Sequence, residues 1–291
     1  MSINNTRSLI EDWKVSVVTP AVSSDDPDRL AEYALHLSRI IAYPHLDVNS
    51  DLQKIDTMGE ELKQSIKKLT PLRPTQIIER INSFLFKEKE FKGNIQDYYN
   101  PLNSYLNIVL QNKTGIPITL SLLYMRIAYS VNLKLHPVNF PSHFLVKYII
   151  EDDGSDIIID PFNSGRIMDD YSLKTLLDQF YPNQNIPLTR ASVEKATVAQ
   201  VIIRMLNNLK TSYYEAQDTD KAEIANEMII AMDPHNPDAM RDKGIILLKR
   251  GRSSEALEML NLYLEQDPEA EDADYVLEMI REIRNSTINK S

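Results

Sequence analysis

The sequence predicts an α+β protein that is mainly helical, with a small antiparallel sheet in its middle and an α-helical repeat module at its end. Three observations support this class. Glycine is rare, with 7 residues in 291, and most long segments space their apolar residues at helical intervals. A segment rich in β-branched residues, 135–168, interrupts the helices. Two Asp-Pro pairs, at Asp233 and Asp267, then stand 34 residues apart.

The first third of the chain has the pattern of successive helices. An amphipathic segment over 7–17 surrounds the only tryptophan. The run 26–28, Asp-Pro-Asp, is typical of a helix start, and apolar residues at helical spacing follow it until Pro44. The same spacing predicts a second helix over 50–69 and a third over 75–86. We therefore expect a helical part that precedes the sheet.

A nearly all-apolar helix is predicted in the centre of the chain. The preceding helix is expected to end near Asn112, with Gly115 as its left-handed stop. Pro117 then occupies the first turn, where proline is favoured, and the next helix runs to about Val131. Because this helix is apolar on nearly every side, it should be the central helix of the core.

The segment after this helix predicts an antiparallel sheet. A hairpin turn is expected over 152–155, and a helix over 172–180 follows the last strand. A proline-containing connector over 181–190 then closes the first domain, residues 1–190. The predicted strands cover 135–139, 143–151, 156–161 and 166–168.

Residues 191–291 form the second predicted domain. The 34-residue spacing of the two Asp-Pro pairs is the tetratricopeptide period, and in this register Ala222 and Ala256 align at the small position of the helix crossing. Lys210 departs from the pattern, because a small residue is expected at its place. Two repeats are fewer than a stable solenoid usually needs. We therefore expect the module to pack on the first domain, with help from a terminal helix over 270–284.

Three features follow one another along the chain in the order that is typical of a catalytic core. A helix entry at Pro117 precedes a strand that carries His143, and a second strand ends in Asp160. This is the order of a papain-like or transglutaminase-like core, which needs a thiolate nucleophile at the helix N-terminus. The chain contains no cysteine, so thiol catalysis, disulfides and thiolate metal sites are excluded. We predict a core of this kind without its nucleophile, in which His143 and Asp160 form a buried structural pair.

An enzyme that uses a hydroxyl group is the alternative. It would carry out acyl transfer or amide hydrolysis, with Thr119 or Ser121 as nucleophile, His143 as base and Asp160 as the group that orients it. The two hydroxyls lie about 200° apart around the helix axis, so they cannot both face His143. In a tightly packed helix, such hydroxyls often bond to a carbonyl one turn earlier instead.

Two further groups are candidates for a cleft or an interface. Tyr99 and Asn103 precede the central helix and could line a peptide cleft, although helix capping and packing is the preferred interpretation. Arg204, Asn207 and Asn208 lie on one face of a later helix. They could line a peptide groove, but we prefer a network that bridges to acidic side chains of the first domain.

Composition narrows the classes of partner. The net charge of −10 and the lack of a Lys/Arg block argue against nucleic acid. The spacing of the five histidines does not predict a metal site, and no sequence signal for a cofactor is present. The sequence has no apolar signal core at its start and no segment of ~18 apolar residues. We therefore expect a cytoplasmic protein without a membrane partner.

Five separated motifs carry a resemblance to a known family. They are 103–107 (NSYLN), 115–118 (GIPI), 139–145 (NFPSHFL), 160–163 (DPFN) and 204–210 (RMLNNLK). Together they resemble the SirB-type bacterial proteins, in which a transglutaminase-like domain precedes tetratricopeptide repeats. The resemblance implies that His143 and Asp160 match two members of the superfamily's Cys-His-Asp triad, and that the cysteine position falls within 117–121. We predict a non-catalytic scaffold for a protein or peptide partner, with a regulatory role.

Overall fold

The computed structural model describes residues 3–67, 72–150 and 154–288. The α-helices are α1 (Ile3–Trp13), α2 (Thr19–Ser23), α3 (Leu30–Ile41), α4 (Val48–Ile66), α5 (Pro74–Asn82), α6 (Leu106–Asn112), α7 (Pro117–Ser130), α8 (Asp170–Phe180), α9 (Val198–Glu215), α10 (Thr219–Met232), α11 (Pro237–Lys249), α12 (Ser253–Gln266) and α13 (Ala273–Ile288). The strands are β1 (Lys92–Gly93), β2 (Thr114–Gly115), β3 (Leu135–Val138), β4 (Leu145–Ile149), β5 (Asp156–Asp160) and β6 (Arg166–Met168). The predicted class, mainly helical with a small antiparallel sheet, is confirmed.

Tertiary contacts divide the chain into two compact units. Val15–Met205 forms one, which we call the core unit. Met1–Lys14 and Leu206–Ser291 form the other, which we call the repeat unit. The grouping places α1 with the C-terminal helices, whereas the sequence led us to expect residues 1–190 in one domain. The boundary between residues 190 and 191 stays a prediction, as does the packing of one domain on the other.

The central helix of the core unit is α7. Eleven of its fourteen residues are buried, as its apolar pattern predicts. It packs against α4, where a side chain on Gly59 would meet Ser130. Pro117 stands at its first turn, because proline lacks the N–H that a helix start leaves unpaired.

The expectation that Gly115 provides a left-handed stop is wrong. Lys113 takes that conformation, with φ of 56°, and ends α6. Gly115 instead pairs with Gly93 in a two-residue parallel ladder. A Cβ atom at Gly115 would lie 2.8 Å from Thr119 Oγ1, so glycine is needed here for close approach to the start of α7.

The antiparallel sheet has the strand order β3-β4-β5-β6. Val138 pairs with Leu145, Val146 with Ile159, and Ile159 with Ile167. One hydrophobic cluster joins the sheet to α8, through Val138, Phe140, Leu145, Ile158, Met168, Leu173 and Leu177.

The second strand begins two residues later than predicted. It starts at Leu145, because Ser142 has a φ of 54° and interrupts the extended chain. His143 therefore lies in the turn between β3 and β4. The expected strand end at 151, part of the hairpin turn over 152–155 and the end of the helix over 50–69 fall outside the described residues.

The repeat unit contains the close helix crossing that the 34-residue period predicts. Ala222 and Ala256 are fully buried, and a Cβ atom at Gly244 would lie 2.6 Å from Leu260 Cγ. Trp13 on α1 is also fully buried. Its indole N–H donates to a backbone carbonyl of α10 at 3.1 Å, which fastens α1 to the repeats.

Lys210 occupies the position at which the repeat pattern predicts a small residue, and its side chain is buried. The ammonium group of Lys210 lies 2.6 Å from Asp242 Oδ2 and 3.3 Å from Asn226 Oδ1. Asn226 is itself fully buried and donates to a carbonyl of α11 at 2.8 Å. The departure from the pattern is thus accommodated by a polar network inside the repeat unit.

Within 3–67, 72–150 and 154–288, no helix is long and apolar enough to cross a membrane.

Candidate functional site

His143 and Asp160 are in direct contact in the core unit. His143 Nε2 lies 3.0 Å from Asp160 Oδ1, and the side chains are 4% and 1% exposed. The sheet produces this contact, because His143 precedes β4 and Asp160 ends the neighbouring strand β5. The backbone N–H of His143 donates to the Phe140 carbonyl at 3.1 Å, which fixes the turn.

Asp160 also caps the short 3-10 turn that follows it. Its Oδ1 accepts the backbone N–H groups of Phe162 at 3.1 Å and Asn163 at 3.3 Å, and its Oδ2 accepts the Asn163 side chain at 2.7 Å. Burial by itself raises the pKa of Asp160, but the hydrogen bonds from His143 and Asn163 outweigh burial and hold the pKa below its usual value. The carboxylate is therefore ionised and fully engaged near neutral pH.

An amide side chain secures the turn after Asp160. Asn82 Nδ2 donates to the Gly165 carbonyl at 2.8 Å, and the Tyr124 hydroxyl donates to Asn82 Oδ1 at 2.8 Å. Gly165 has a φ of 73°, and a Cβ atom there would overlap the Asn82 side chain. Sequence reasoning missed this contact, for which a Gly in a turn is the only local signal.

Aromatic rings frame the imidazole. Phe162 meets the His143 ring edge-on at 6.0 Å between centroids, and Phe180 stacks on it at 6.2 Å. Tyr98 in turn packs edge-on against Phe162 at 6.0 Å. Phe162 lies against Gly93, where a Cβ atom would be 2.6 Å from the ring. Phe180 was not anticipated from the sequence, since it lies 37 positions away at the end of a separate helix.

Thr119 is committed to the backbone at the start of α7. Its Oγ1 lies 2.9 Å from the Asn103 carbonyl, to which it donates, and accepts the Ile116 N–H at 3.2 Å. The side chain is fully buried. It thus caps the helix and holds the preceding segment, and it makes no hydrogen bond with His143 among the described residues.

Ser121 is fully buried on the same helix. Its Oγ has no hydrogen-bond partner within the described part of the chain, His143 included. The structure therefore brings His143 and Asp160 together and leaves both hydroxyl candidates without a bond to that pair.

The two cleft candidates before the central helix lie in different surroundings. Asn103 is buried, accepts from Asn94 Nδ2 at 2.9 Å and donates to the carbonyls of Asp97 at 2.6 Å and Tyr98 at 3.2 Å. It therefore organises the loop before α6. Tyr99 is 72% exposed and contacts the Tyr98 ring edge-on at 5.3 Å.

Among the residues that the structure describes, Arg204 does not pair with an acidic side chain, contrary to the preferred sequence interpretation. Its Nη1 donates to the Phe140 carbonyl at 3.0 Å, and its guanidinium lies 5.5 Å from the centroid of the Phe144 ring. The reason is local, because the turn after β3 offers the Phe140 carbonyl, which has a second lone pair beside the one that accepts the His143 N–H, and the face of the Phe144 ring. Asn207 and Asn208 belong to the repeat unit, where both are half-buried.

Comparisons with known proteins identify both modules. The model of the transglutaminase-like superfamily matches residues 50–207, and a tetratricopeptide repeat model matches residues 209–281. The first match contains His143 and Asp160, and the second contains the polar network around Lys210. The predicted fusion of a transglutaminase-like domain to tetratricopeptide repeats is confirmed.

Similar proteins occur in bacteria and, over part of the chain, in mammals. F-box only protein 21 of Mus musculus is 38% identical over 141 residues, which are 46% of this chain and 21% of that protein. The UPF0162 protein YchA of Escherichia coli K12 is 27% identical over 85% of this chain and 88% of its own length. A UPF0162 protein of Xylella fastidiosa strain Temecula1 is 31% identical over 92% of this chain and 94% of its own length. The chain therefore belongs to the UPF0162 family, within the transglutaminase-like superfamily.

Proposed function

We propose that this protein is a non-catalytic scaffold for protein or peptide partners, built on a cysteine-less transglutaminase-like core followed by tetratricopeptide repeats. One observation carries the proposal. The His143–Asp160 pair is buried and intact, while the two hydroxyls at the start of α7 are bonded to the backbone or unpartnered. A nucleophile must lie within hydrogen-bond reach of its base, and neither hydroxyl does so here.

The hydrogen bonds of Asp160 support a structural role for the pair. Three of them serve the turn at Phe162 and Asn163, and only one serves His143. Leaving a buried polar group unpaired costs about 1–3 kcal/mol. The pair thus stabilises the core unit whether or not a nucleophile is present.

The repeats supply the second reason for proposing an interaction protein. Tetratricopeptide helices generally mediate contacts between proteins, and this chain carries such helices over 209–281. We place the protein in the cytoplasm, with a regulatory role of the SirB type and without nucleic acid or membrane as partner. The net charge of −10 disfavours binding to the phosphate groups of nucleic acid.

A labelling experiment tests the absence of catalysis. The full chain and His143→Ala are treated with a fluorophosphonate probe, which reacts with activated serine or threonine. We expect no labelling above that of heat-denatured protein in either sample. Labelling of the wild type that disappears in His143→Ala would overturn the proposal and favour the alternative, an acyl-transfer enzyme or amide hydrolase with a Thr/Ser-His-Asp arrangement.

A capture experiment tests the interaction role. Tyr99 is exposed in the core unit and Tyr275 in the repeat unit, so Tyr99→Ser and Tyr275→Ser alter each surface without removing a buried contact. Proteins retained by the full-length wild type are quantified against both variants. We expect a partner whose recovery falls with one of them. Recovery that is independent of both surfaces, for every retained protein, would count against a scaffold.

A further inference from the structure

Arg204 is a cation without a carboxylate partner. Within 3–67, 72–150 and 154–288, its one hydrogen bond goes to the Phe140 carbonyl, at 3.0 Å, and no acidic side chain lies within ion-pair distance. The Phe144 ring lies beneath the guanidinium. A guanidinium has five N–H donors in a planar fork, so most of its donors are unused.

The charge is nevertheless held away from bulk water. The side chain is half-buried, and burial lowers the pKa of Arg204, an effect that Tyr98 and Tyr181 partly oppose. These two tyrosines are the titratable groups whose charges act on the pKa of Arg204. Burying a charge among neutral groups is costly unless an opposite charge completes the site.

The guanidinium flanks the same turn as the His143 imidazole. The Phe140 carbonyl accepts both the Arg204 side chain, at 3.0 Å, and the backbone N–H of His143, at 3.1 Å. Ser142 lies in this turn, and its hydroxyl donates to the Tyr181 hydroxyl at 2.8 Å. The turn that Arg204 contacts thus also carries a hydrogen-bonded pair of hydroxyls.

The imidazole and its aromatic neighbours restrict which ligand could bind beside this turn. The side chain is 96% buried, and Nε2 is occupied by Asp160. Because Phe162 and Phe180 flank the ring, a ligand that reaches it must also offer apolar surface.

We propose that Arg204, beside the His143 turn, anchors a carboxylate group of a bound peptide. A planar fork matches the two oxygens of a carboxylate, and the Tyr181 hydroxyl, which accepts from Ser142, keeps its own O–H to donate a further hydrogen bond. The aromatic rings would contact the apolar part of the same peptide. This inference rests on the proposed function, because it identifies which chemistry of a partner the core unit recognises. The carboxylate can come from a chain terminus or from an acidic side chain.

Three small probes distinguish these sources. N-acetyl-alanyl-phenylalanine carries a terminal carboxylate, its C-terminal amide carries none, and N-acetyl-glutamyl-phenylalaninamide carries one on a side chain. Each is titrated into the ¹⁵N-labelled full chain, and the Arg204 Nε–Hε resonance is followed. We expect a saturable shift with at least one carboxylate probe and none with the amide. The carboxylate probe that binds more tightly identifies the source.

Variants show whether the charge is responsible. Arg204→Gln should remove carboxylate binding, and Arg204→Lys should weaken it at least about tenfold, since an ammonium cannot make the bidentate contact. Tyr181→Phe should weaken it severalfold while the cation stays in place. Arg166→Gln is the matched control, because Arg166 is an exposed arginine of the same unit, and it should bind as the wild type does.

Several results would overturn the inference. They are equal shifts with the amide and the carboxylates, wild-type binding by Arg204→Gln, tighter binding of inorganic phosphate than of either carboxylate, or an Arg204 resonance that no probe moves. The last measurement uses the wild type, so it holds even if a variant fails to fold. Labelling that depends on His143 would overturn the scaffold function but leave the carboxylate site, whereas an unmoved resonance would remove the site and leave the scaffold function.

Discussion

Replacing Asp160 by alanine removes a carboxylate that two neighbouring segments share. The substitution takes away the partner of His143 Nε2 and the cap of the turn over 161–163. Asp160 is fully buried, so water cannot replace it readily at the imidazole. The expected consequence is a loss of stability in the core unit.

The size of the loss follows from the separate contacts. An unpaired buried ring nitrogen at His143 costs about 1–3 kcal/mol. Loss of the cap costs about 1 kcal/mol more, because Phe162 and Asn163 are partly exposed and water can reach their N–H groups. Together these give about 3 kcal/mol, which for a unit of roughly 200 residues lowers Tm by about 6–12 °C.

Asp169→Ala is the matched control. Asp169 is also an aspartate that caps a helix, with its carboxylate accepting the Ser172 N–H at 2.8 Å at the exposed start of α8. Its replacement leaves no buried group among the described residues without a hydrogen-bond partner. The substitution should therefore lower Tm by much less than Asp160→Ala does. Thermal unfolding by circular dichroism at pH 7 measures both variants against the wild type.

The pH dependence gives a second readout of the same prediction. The pKa of Asp160 in the folded chain lies below its usual value of 3.8, so the ionised form is stabilised by folding. Its contribution is complete above about pH 4 and is lost as the pH falls through the lowered pKa. The gap between wild type and Asp160→Ala should therefore be widest near neutral pH and narrow below pH 4.

The reasoning is refuted if Asp160→Ala melts within about 1 °C of the wild type at pH 7, or no lower than Asp169→Ala. Either result would mean that the His143–Asp160 contact adds nothing to stability. The structural reason for its presence in a chain without cysteine would then be lost.

Three further experiments test packing within each of the two units. Gly165→Ala should cost about 3 kcal/mol or more in urea unfolding, because φ is 73° and the new Cβ would overlap a side chain, whereas Gly154→Ala, with φ of 68° and open surroundings, should cost about 1 kcal/mol; equal losses would contradict the role of the contact. Lys210→Met should cost about 2 kcal/mol by leaving Asp242 with one cation, and adding Asp242→Leu should recover part of the loss, which a double-mutant cycle measures. Trp13→Phe should cost about 1–2 kcal/mol, since a buried indole N–H loses its carbonyl; unchanged unfolding by circular dichroism would show that α1 contributes little to the repeat unit.

Helices and strands whose formation depends on neighbouring residues could be predicted from the sequence. The β-branched runs predicted the four strands of the sheet, and Pro117 predicted the start of α7. The contact between His143 and Asp160 follows from such information too, because antiparallel neighbours place the start of one strand beside the end of the next. A histidine before one strand and an aspartate after the other are then adjacent.

Contacts with backbone groups far along the chain could not be predicted. Every residue offers the same carbonyl, so nothing in the sequence singles out Phe140 as the acceptor for Arg204, 64 positions away. The same holds for Asn82 and Gly165, 83 positions apart. The conformation of Lys113 is a related case, because glycine is the usual left-handed residue and the nearby Gly115 is needed for close approach instead.

Most of the hydrogen bonds of Asp160 stabilise its own turn, and one goes to the His143 imidazole. A carboxylate that served only to orient a catalytic imidazole would need one bond to the ring, whereas Asp160 makes three others that hold its own turn. Loss of a nucleophile would leave all four hydrogen bonds in place. The pair would therefore stabilise the folded chain even if it took part in no reaction. Arg204 differs, because its half-buried charge meets only neutral groups in the described part of the chain and contributes one hydrogen bond to the turn. A group that is costly to bury and is not balanced within the protein is better explained by a ligand than by the fold.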